Sequence, residues 1–198
     1  MPPIVVIAPE STSYQIVQRV ATELGIQDKI LLHLTGLSRS LSVARKAEEE
    51  GAYVIVARGW SANQIVEAGI RTPLVFLPIS MQDLVYVLDQ ALVKAAKPNP
   101  RVGFIVYPQL QKELVVLSSL LHVDLRIYPS CSDKEDMRRA IAQAVRDKVD
   151  VFIGGETSIG MAESMGLRCQ LLVCDEMSIR QALLEAKRIV YARELEQA

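Results

Sequence analysis

The feature that most constrains the fold is an alternation of short apolar runs with amphipathic segments, which occurs eight times along the 198 residues. The runs are rich in Val, Ile and Leu and lie at about 4–8, 29–34, 53–57, 74–77, 102–106, 123–128, 150–154 and 170–174. A helical pattern follows each run; in the first, the apolar residues of 16–24 share one face and Gly25 closes the helix. Strands that alternate with helices predict right-handed crossovers and parallel sheets.

The same order of segments returns after 97 residues. "GIRTPLVFLPISMQDL", from Gly69, aligns with "GLRCQLLVCDEMSIRQAL", from Gly166, and "AYVIVARG" aligns with "VDVFIGGE". Between the copies lies "AAKPNPR", in which Pro98 and Pro100 end a helix. The chain is therefore predicted to contain two copies of a module of four strand-helix units.

The predicted fold is α/β, with two Rossmann-like (βα)4 lobes that have parallel sheets, a periplasmic-binding-protein-like arrangement and a cleft between the lobes. The first lobe covers 1–97 and the second 98–198, and helices 81–96 and 178–196 are candidates for crossing to the opposite lobe. The alternative is one (β/α)8 barrel. Such barrels usually have about 250 residues, and the proline-rich break at mid-chain favours two lobes.

The composition favours an α/β fold and gives no sign of binding to nucleic acid or membranes. Hydrophobic residues make up 50% of the chain but aromatic residues only 5%, which is typical of parallel sheets covered by helices on both faces. A net charge of −1 gives no reason to expect nucleic-acid binding by this segment. No apolar run is long enough for a bilayer, and no signal peptide precedes the first strand, so we expect no membrane contact and a cytoplasmic location.

The sequence offers no cofactor or metal motif. Its three cysteines, Cys131, Cys169 and Cys174, lack metal-binding spacing and are expected to be reduced thiols. Neither GxGxxG nor a Walker lysine occurs, so no nucleotide is expected. His33 and His122 lie within or beside strands and are expected to be structural, and Asp124 and Asp150 lie at the starts of strands, away from the expected site.

Polar residues and glycines follow the predicted strands at their carboxyl ends, where open parallel sheets bind ligands. The ligand-binding candidates are Glu10, Ser11, Thr12, Ser13, Thr35, Arg58, Gly59, Trp60, Ser61 and Ser80 in the first copy, and Tyr107, Gly154, Gly155, Glu156, Thr157 and Ser158 in the second. Helix N-termini attract anions, and an arginine can bind a carboxylate through two hydrogen bonds. The predicted ligand is therefore a small anionic metabolite of the carboxylate type.

Structural roles remain open for several of these candidates. Serines and threonines before helices are first of all helix caps. Trp60 could cover a lobe interface, and the pair Gly154–Gly155 could serve only a tight turn. Glu156, which aligns with Gly59, would repel an anion unless it pairs with Arg58 or a ligand hydroxyl.

The ordered set "GAYVIVARGWSANQIVEAGIRTPLVFLPISMQDL" and "VDVFIGGETSIGMAESMGLRCQLLVCDEMSIRQALLEAKRIV" resembles the N-terminal sensor domain of the propionate catabolism activators (PrpR-type). These are bacterial regulators of the sigma-54 enhancer-binding class, and the resemblance covers nearly the whole chain. It implies an effector domain that controls a downstream ATPase and a helix-turn-helix domain when these belong to the same chain. The effector of the name-giving members is the tricarboxylate 2-methylcitrate.

The predicted function is therefore a ligand-sensing regulatory domain, not an enzyme, that signals by closure of the lobes. Two alternatives remain. Racemases and maleate isomerases also have two αβ lobes, but they use one cysteine from each, whereas Cys131 and Cys174 both belong to the second copy and Leu77 occupies the place of Cys174 in the first. A dimerisation module without ligand is the other alternative, and a homodimer is a candidate assembly in either case.

Overall fold

The computed structural model describes residues 2–35, 37–106, 110–129 and 133–197. They form eight strands and eight α-helices in strict alternation, with a short 3-10 turn at Gln27–Lys29. The first half contains β1 (Ile4–Ala8), α1 (Ser11–Glu23), β2 (Ile30–Leu34), α2 (Leu37–Glu49), β3 (Val54–Ala57), α3 (Gly59–Glu67), β4 (Leu74–Phe76) and α4 (Met81–Ala95). The second half contains β5 (Arg101–Val106), α5 (Gln111–Leu121), β6 (Asp124–Pro129), α6 (Lys134–Arg146), β7 (Val151–Gly154), α7 (Glu156–Ser164), β8 (Cys169–Leu171) and α8 (Glu176–Glu196).

The strands form two separate four-stranded sheets in which every pairing is parallel. Their orders are β2-β1-β3-β4 and β6-β5-β7-β8, so the second sheet repeats the topology of the first. The register between the central strands repeats as well: Val6 lies opposite Leu32 and Val56 in the first sheet, and Phe104 lies opposite Ile127 and Ile153 in the second. The predicted α/β fold with two parallel sheets is confirmed, and the barrel alternative is wrong.

Two compact units contain these sheets. The first consists of residues 1–80 together with 174–198, and the second of residues 81–173. They differ from the predicted halves by an exchange of helices. The helix α8 packs against α1, β3 and β4 of the first sheet, and α4 packs against β7 and β8 of the second.

The first sheet is buried on both faces, as its aliphatic strands require. Ile4 and Val6 of β1 belong to an apolar cluster that includes α1 and α8, whereas Val5 and Ile7 belong to a cluster that includes α2 and α3. This alternation follows from the two-residue repeat of a strand, which sends successive side chains to opposite faces. None of the helices among the described residues is long and apolar enough to cross a membrane.

Aspartates cap two helices in the second half of the chain. Asp175 accepts the backbone N–H of Ser178 at 2.6 Å, so α8 begins at Glu176 and the predicted start at residue 178 is wrong. Asp133 caps α6 in the same way, and Ser132 before it lies outside the described residues. A carboxylate fits these positions because it accepts a hydrogen bond and complements the positive end of the helix dipole.

Candidate functional site

The order of the first sheet brings three buried polar side chains to the ends of adjacent strands. Thr35 follows β2, Glu10 follows β1 and Arg58 follows β3. Each is at most 9% exposed. Together with Trp60 of α3 they form what we call the β1–β3 edge. Because most surface polar groups are hydrated, such burial of charged side chains at strand ends requires a physical reason.

Glu10 has an extended backbone and caps α1. Its Oε1 atom accepts the backbone N–H of Ser13 at 3.1 Å and also the Ser13 hydroxyl. Its Oε2 atom is buried and has no hydrogen-bond partner among the described residues. The carboxylate is therefore held at a helix N-terminus by one oxygen, and the other oxygen lacks a donor.

Arg58 is the cap residue of α3 and also has an extended backbone. Its Nη1 atom donates to the Sγ atom of Cys174 at 2.9 Å, and the Cys174 thiol lies 3.7 Å from the carbonyl oxygen of Pro78. Cys174 is only 2% exposed. A guanidinium has five N–H donors, so this contact with the cysteine orients the arginine through one of them.

Gly59 and Trp60 follow Arg58 in the first turn of α3. Gly59 has a φ angle of 60°, in the left-handed region that favours glycine. Trp60 is half-buried, and its Nε1 atom is a buried donor without a partner in the described part of the chain. The β1–β3 edge thus contains one acceptor and one donor that the described residues leave unsatisfied.

The other candidates of the first copy have more ordinary environments. Ser11 and Thr12 are exposed in the first turn of α1, and Ser13 is fully buried and donates twice to Glu10. Ser61 is half-buried in α3, and the Ser80 hydroxyl lies 3.4 Å from the Oδ2 atom of Asp175. Of these, Ser13 takes part in the cap of α1 by donating to Glu10, which agrees with a structural role for hydroxyl residues near helix starts.

The candidates of the second copy lie at the junction of β7 and α7. Ser158 is buried and donates to the carbonyl oxygen of Gly155 at 2.9 Å. A Cβ atom on Gly154 would lie 2.1 Å from the Ser158 hydroxyl, whereas one on Gly155 would meet nothing within 4 Å. Glu156 is exposed and Thr157 half-buried in the first turn of α7, and Tyr107 lies outside the described residues.

Sequence reasoning missed the role of Cys174. It treated this residue only as a candidate nucleophile of the second copy, whereas the structure places it in the first unit as a hydrogen-bond acceptor for Arg58. The signal was available in part, because α8 was a candidate for crossing over and Cys174 lies just before it.

A second group of charged residues occupies the opposite end of the other sheet, where β5, β6 and β7 begin. The Arg101 side chain donates to Asp124 Oδ2 at 2.7 Å and to the carbonyl oxygen of Asp147 at 2.6 Å, and its backbone N–H donates to Asp150 Oδ2 at 2.7 Å. The Tyr128 hydroxyl donates to Asp147 Oδ2 at 2.8 Å. We call these five residues the Arg101 network.

Charges in the Arg101 network stabilise one another. The hydrogen bond from Arg101 holds the pKa of Asp124 below its usual value, with further help from Arg126. Hydrogen bonds from Tyr128 and Gln143 likewise lower the pKa of Asp147. The sequence-based expectation that Asp124 and Asp150 lie at strand starts is confirmed.

Two groups outside these clusters, His33 and Cys169, have pKa values that burial shifts. Burial, Lys46 and Arg39 lower the pKa of His33 in β2, which favours the neutral ring. Burial raises the pKa of the Cys169 thiol to about 11, so this thiol is protonated at neutral pH.

The architecture of two parallel four-stranded sheets places the chain among the periplasmic-binding-protein-like α/β proteins. The family model of the propionate catabolism activators matches residues 25–196, and the chain belongs to this family. It is thus a regulatory domain of a family of transcriptional activators, as the resemblance implied. No curated protein matches the sequence.

Solved structures support the fold. An NtrC family transcriptional regulator from Clostridium acetobutylicum is similar with a TM-score of 0.82 at 18% identity, over 96% of this chain and 97% of that chain. The ABC domain in complex with L-Trp from Streptococcus pneumonia has a TM-score of 0.53 at 13% identity, over 96% and 84%. A conserved domain protein from Vibrio cholerae has a TM-score of 0.52 at 14% identity, over the same shares. At these identities the likeness concerns the fold alone.

Proposed function

We propose that this regulatory domain senses a small metabolite with a carboxylate group, and that Arg58 binds the carboxylate at the β1–β3 edge. The observation that carries the proposal is a guanidinium that is 9% exposed at a strand end, oriented by Cys174 and followed by a helix N-terminus. Such a group combines a fixed positive charge with donors in a fork, which is the geometry that a carboxylate matches best.

Binding is proposed to become a signal by closure of the two units. A ligand that contacts the β1–β3 edge together with residues 154–158 would favour the closed form and shift the population toward it. The helix α8 packs on the first sheet through Ile179, Leu183 and Ala186 and can transmit such a change to a following domain. The downstream ATPase and helix-turn-helix domains, and sigma-54 dependence, are proposals from the resemblance.

The cysteines give no support to the enzyme alternative. Catalysis by a thiol needs a thiolate that reaches its substrate. Cys174 is buried and is the hydrogen-bond acceptor of Arg58, and the Cys169 thiol has its pKa raised to about 11 by burial. Cys131 lies outside the described residues.

The test is a thermal-shift screen of mono-, di- and tricarboxylates, followed by calorimetry on the best binder. A ligand at a hundredfold excess over its Kd should stabilise the folded chain by about 2.7 kcal/mol. Arg58→Ala should weaken binding by about 2–5 kcal/mol, because it removes one partner of a buried charge pair.

Matched variants separate this effect from general damage. Arg58→Lys keeps the charge but loses the fork and should also bind weakly, whereas Arg45→Lys changes an exposed arginine of the same unit and should bind normally. Equal affinity of wild type and Arg58→Ala would overturn the assignment of Arg58. Closure predicts a smaller radius of gyration in small-angle scattering at saturating ligand, and an unchanged radius would contradict it.

A further inference from the structure

We propose that the metabolite carries a cationic amine beside its carboxylate, as an α-amino acid does, and that Glu10 binds the amine while Arg58 binds the carboxylate. This inference rests on the proposed function and names the class of ligand. Its starting point is that the β1–β3 edge contains a buried negative charge as well as a buried positive one.

Glu10 is the first argument. The residue is 5% exposed, and its Oε2 atom has no partner within the described part of the chain. Burial of an ionised carboxylate is costly unless hydrogen bonds and an opposite charge compensate it. Oε1 is satisfied by Ser13, whose donors are neutral, and Oε2 can accept a further donor that the described residues do not supply.

A ligand that is only an anion fits this edge poorly. Its carboxylate would bind Arg58 after β3, beside Glu10, which follows the neighbouring strand β1. Like charges close together in a partly desolvated site repel one another. An ammonium group reverses the sign of this interaction and provides three N–H donors, one of which can satisfy Oε2.

The second argument comes from Trp60 and concerns the carboxylate end of the ligand. Its buried Nε1–H is a donor without an acceptor among the described residues. It lies in the first turn of α3, two positions after Arg58, and a carboxylate bound by the arginine could accept it. The edge therefore offers two donors for an anionic group and one anionic acceptor for a cationic group.

An α-amino acid matches this arrangement because one carbon atom separates its amine from its carboxylate. A 2-hydroxy acid could also donate to Oε2, but its hydroxyl is neutral and adds no positive charge beside Glu10. The inference therefore predicts that an α-amino acid binds more tightly than the corresponding 2-hydroxy acid, because only the amino acid has a cationic amine.

The experiment compares matched ligands on the 198-residue chain. The twenty L-amino acids are screened by thermal shift, and each one that binds is titrated by calorimetry beside its deamino acid, its 2-hydroxy acid and its carboxamide. For leucine these are 4-methylpentanoate, 2-hydroxy-4-methylpentanoate and leucinamide. We expect the deamino acid and the carboxamide to bind at least ~100-fold more weakly, and the hydroxy acid at least ~10-fold more weakly, than the amino acid.

Glu10→Gln tests the residue that distinguishes this inference. The amide oxygen can still accept the N–H of Ser13, so the cap and the fold should persist, while the negative charge is lost. The variant should bind the amino acid at least ~30-fold more weakly and should bind the deamino acid as well as or better than wild type. The loss of affinity caused by Glu10→Gln should therefore be absent for a ligand that has no amine.

Each other outcome is decisive. If deamino acids bind as tightly as amino acids, or if Glu10→Gln binds the amino acid normally, the inference is overturned while the sensing of a carboxylate by Arg58 stands. If no carboxylate binds, with or without an amine, the proposed function fails as well. Loss of binding to all ligands alike in Glu10→Gln, with a lowered melting temperature, would assign Glu10 to the cap alone.

Discussion

The β1–β3 edge and the Arg101 network are both clusters of charged and polar side chains at the end of a parallel sheet, yet they differ in how their polar atoms are satisfied. In the Arg101 network, the carboxylates of Asp124, Asp147 and Asp150 each accept hydrogen bonds from neighbouring residues. At the β1–β3 edge, Glu10 Oε2 and Trp60 Nε1 are buried without a partner among the described residues.

The two clusters also lie at opposite ends of their sheets. The Arg101 network lies where strands begin, and the β1–β3 edge lies where strands end and helices present their N-termini. Folding favours satisfied polar groups, so a satisfied cluster at a strand start needs no other explanation than stability. The proposed function explains the atoms of the β1–β3 edge that lack a partner among the described residues as contacts for a ligand, because open parallel sheets bind ligands at this end.

The largest expected effect is that substitutions of Arg58 and Arg101 change different properties, the first the ligand affinity and the second the melting temperature. Arg58→Ala should reduce ligand affinity by about 2–5 kcal/mol with a small change in melting temperature, because its partners lie at the site. Arg101→Ala should lower the melting temperature and leave the affinity unchanged, because its partners belong to the second sheet. Calorimetry measures the ligand affinity of each variant, and thermal unfolding measures the melting temperature of each. Loss of affinity in both variants would remove the distinction between the clusters.

The fold was largely predictable from the sequence, because strand and helix periods leave few topologies once eight units alternate and repeat. The exact strand bounds were less predictable: β8 ends at Leu171, not at residue 174, because β7, the strand with which it pairs, ends at Gly154 opposite Leu171. The position of Arg58 at the edge of the sheet was predictable, because this residue directly follows a buried strand. The unsatisfied oxygen of Glu10 was not, because only three-dimensional packing shows which of its oxygens has a partner.

Gly103 should show the next largest effect, and it belongs to the packing beside the Arg101 network. A Cβ atom there would lie 3.0 Å from Val149, 3.1 Å from Phe152 and 3.2 Å from Tyr128. Gly103→Ala should therefore destabilise the second unit by about 1–3 kcal/mol through overpacking, without an effect on ligand affinity. Urea unfolding checks the stability. Gly160→Ala, which has open space around its Cβ position, is the control and should be no less stable than wild type.

Gly59 should show a smaller effect that involves the proposed ligand site. Its φ of 60° strains any other residue, so Gly59→Ala should cost about 1 kcal/mol of stability and should also displace Arg58 and weaken binding. Gly155 occupies the place of Arg58 in the second copy, with a φ of −77° and open space, and Gly155→Ala serves as the matched control for stability alone. Equal stability of the two variants would show that the left-handed turn is not required.

Acid should weaken the Arg101 network. The pKa of Asp124 is lowered by Arg101 in the folded chain, so its contribution to stability is present above the unfolded pKa of about 4 and is lost as pH falls through the folded pKa. The difference in urea midpoint between wild type and Asp124→Asn should therefore shrink between pH 6 and pH 3. A difference that stays constant would mean that the charge of Asp124 is unimportant.

Cys174 should show the smallest effect. Cys174→Ser keeps an acceptor for Arg58, so ligand affinity should stay within about threefold of wild type, or ~0.6 kcal/mol. Cys174→Val removes the acceptor and should weaken binding further, which calorimetry can detect. A racemase or isomerase activity of the wild-type chain that vanishes in Cys174→Ser would instead favour the enzyme alternative.

The most direct measurement uses Trp60, the one tryptophan of the chain, as a reporter within the β1–β3 edge. The chain is titrated with the carboxylate that gives the largest thermal shift while tryptophan emission is recorded. The account predicts a saturable change in emission whose midpoint equals the calorimetric Kd and which is absent at the same concentrations in Arg58→Ala. Calorimetric saturation with unchanged emission of Trp60 would contradict binding at this edge.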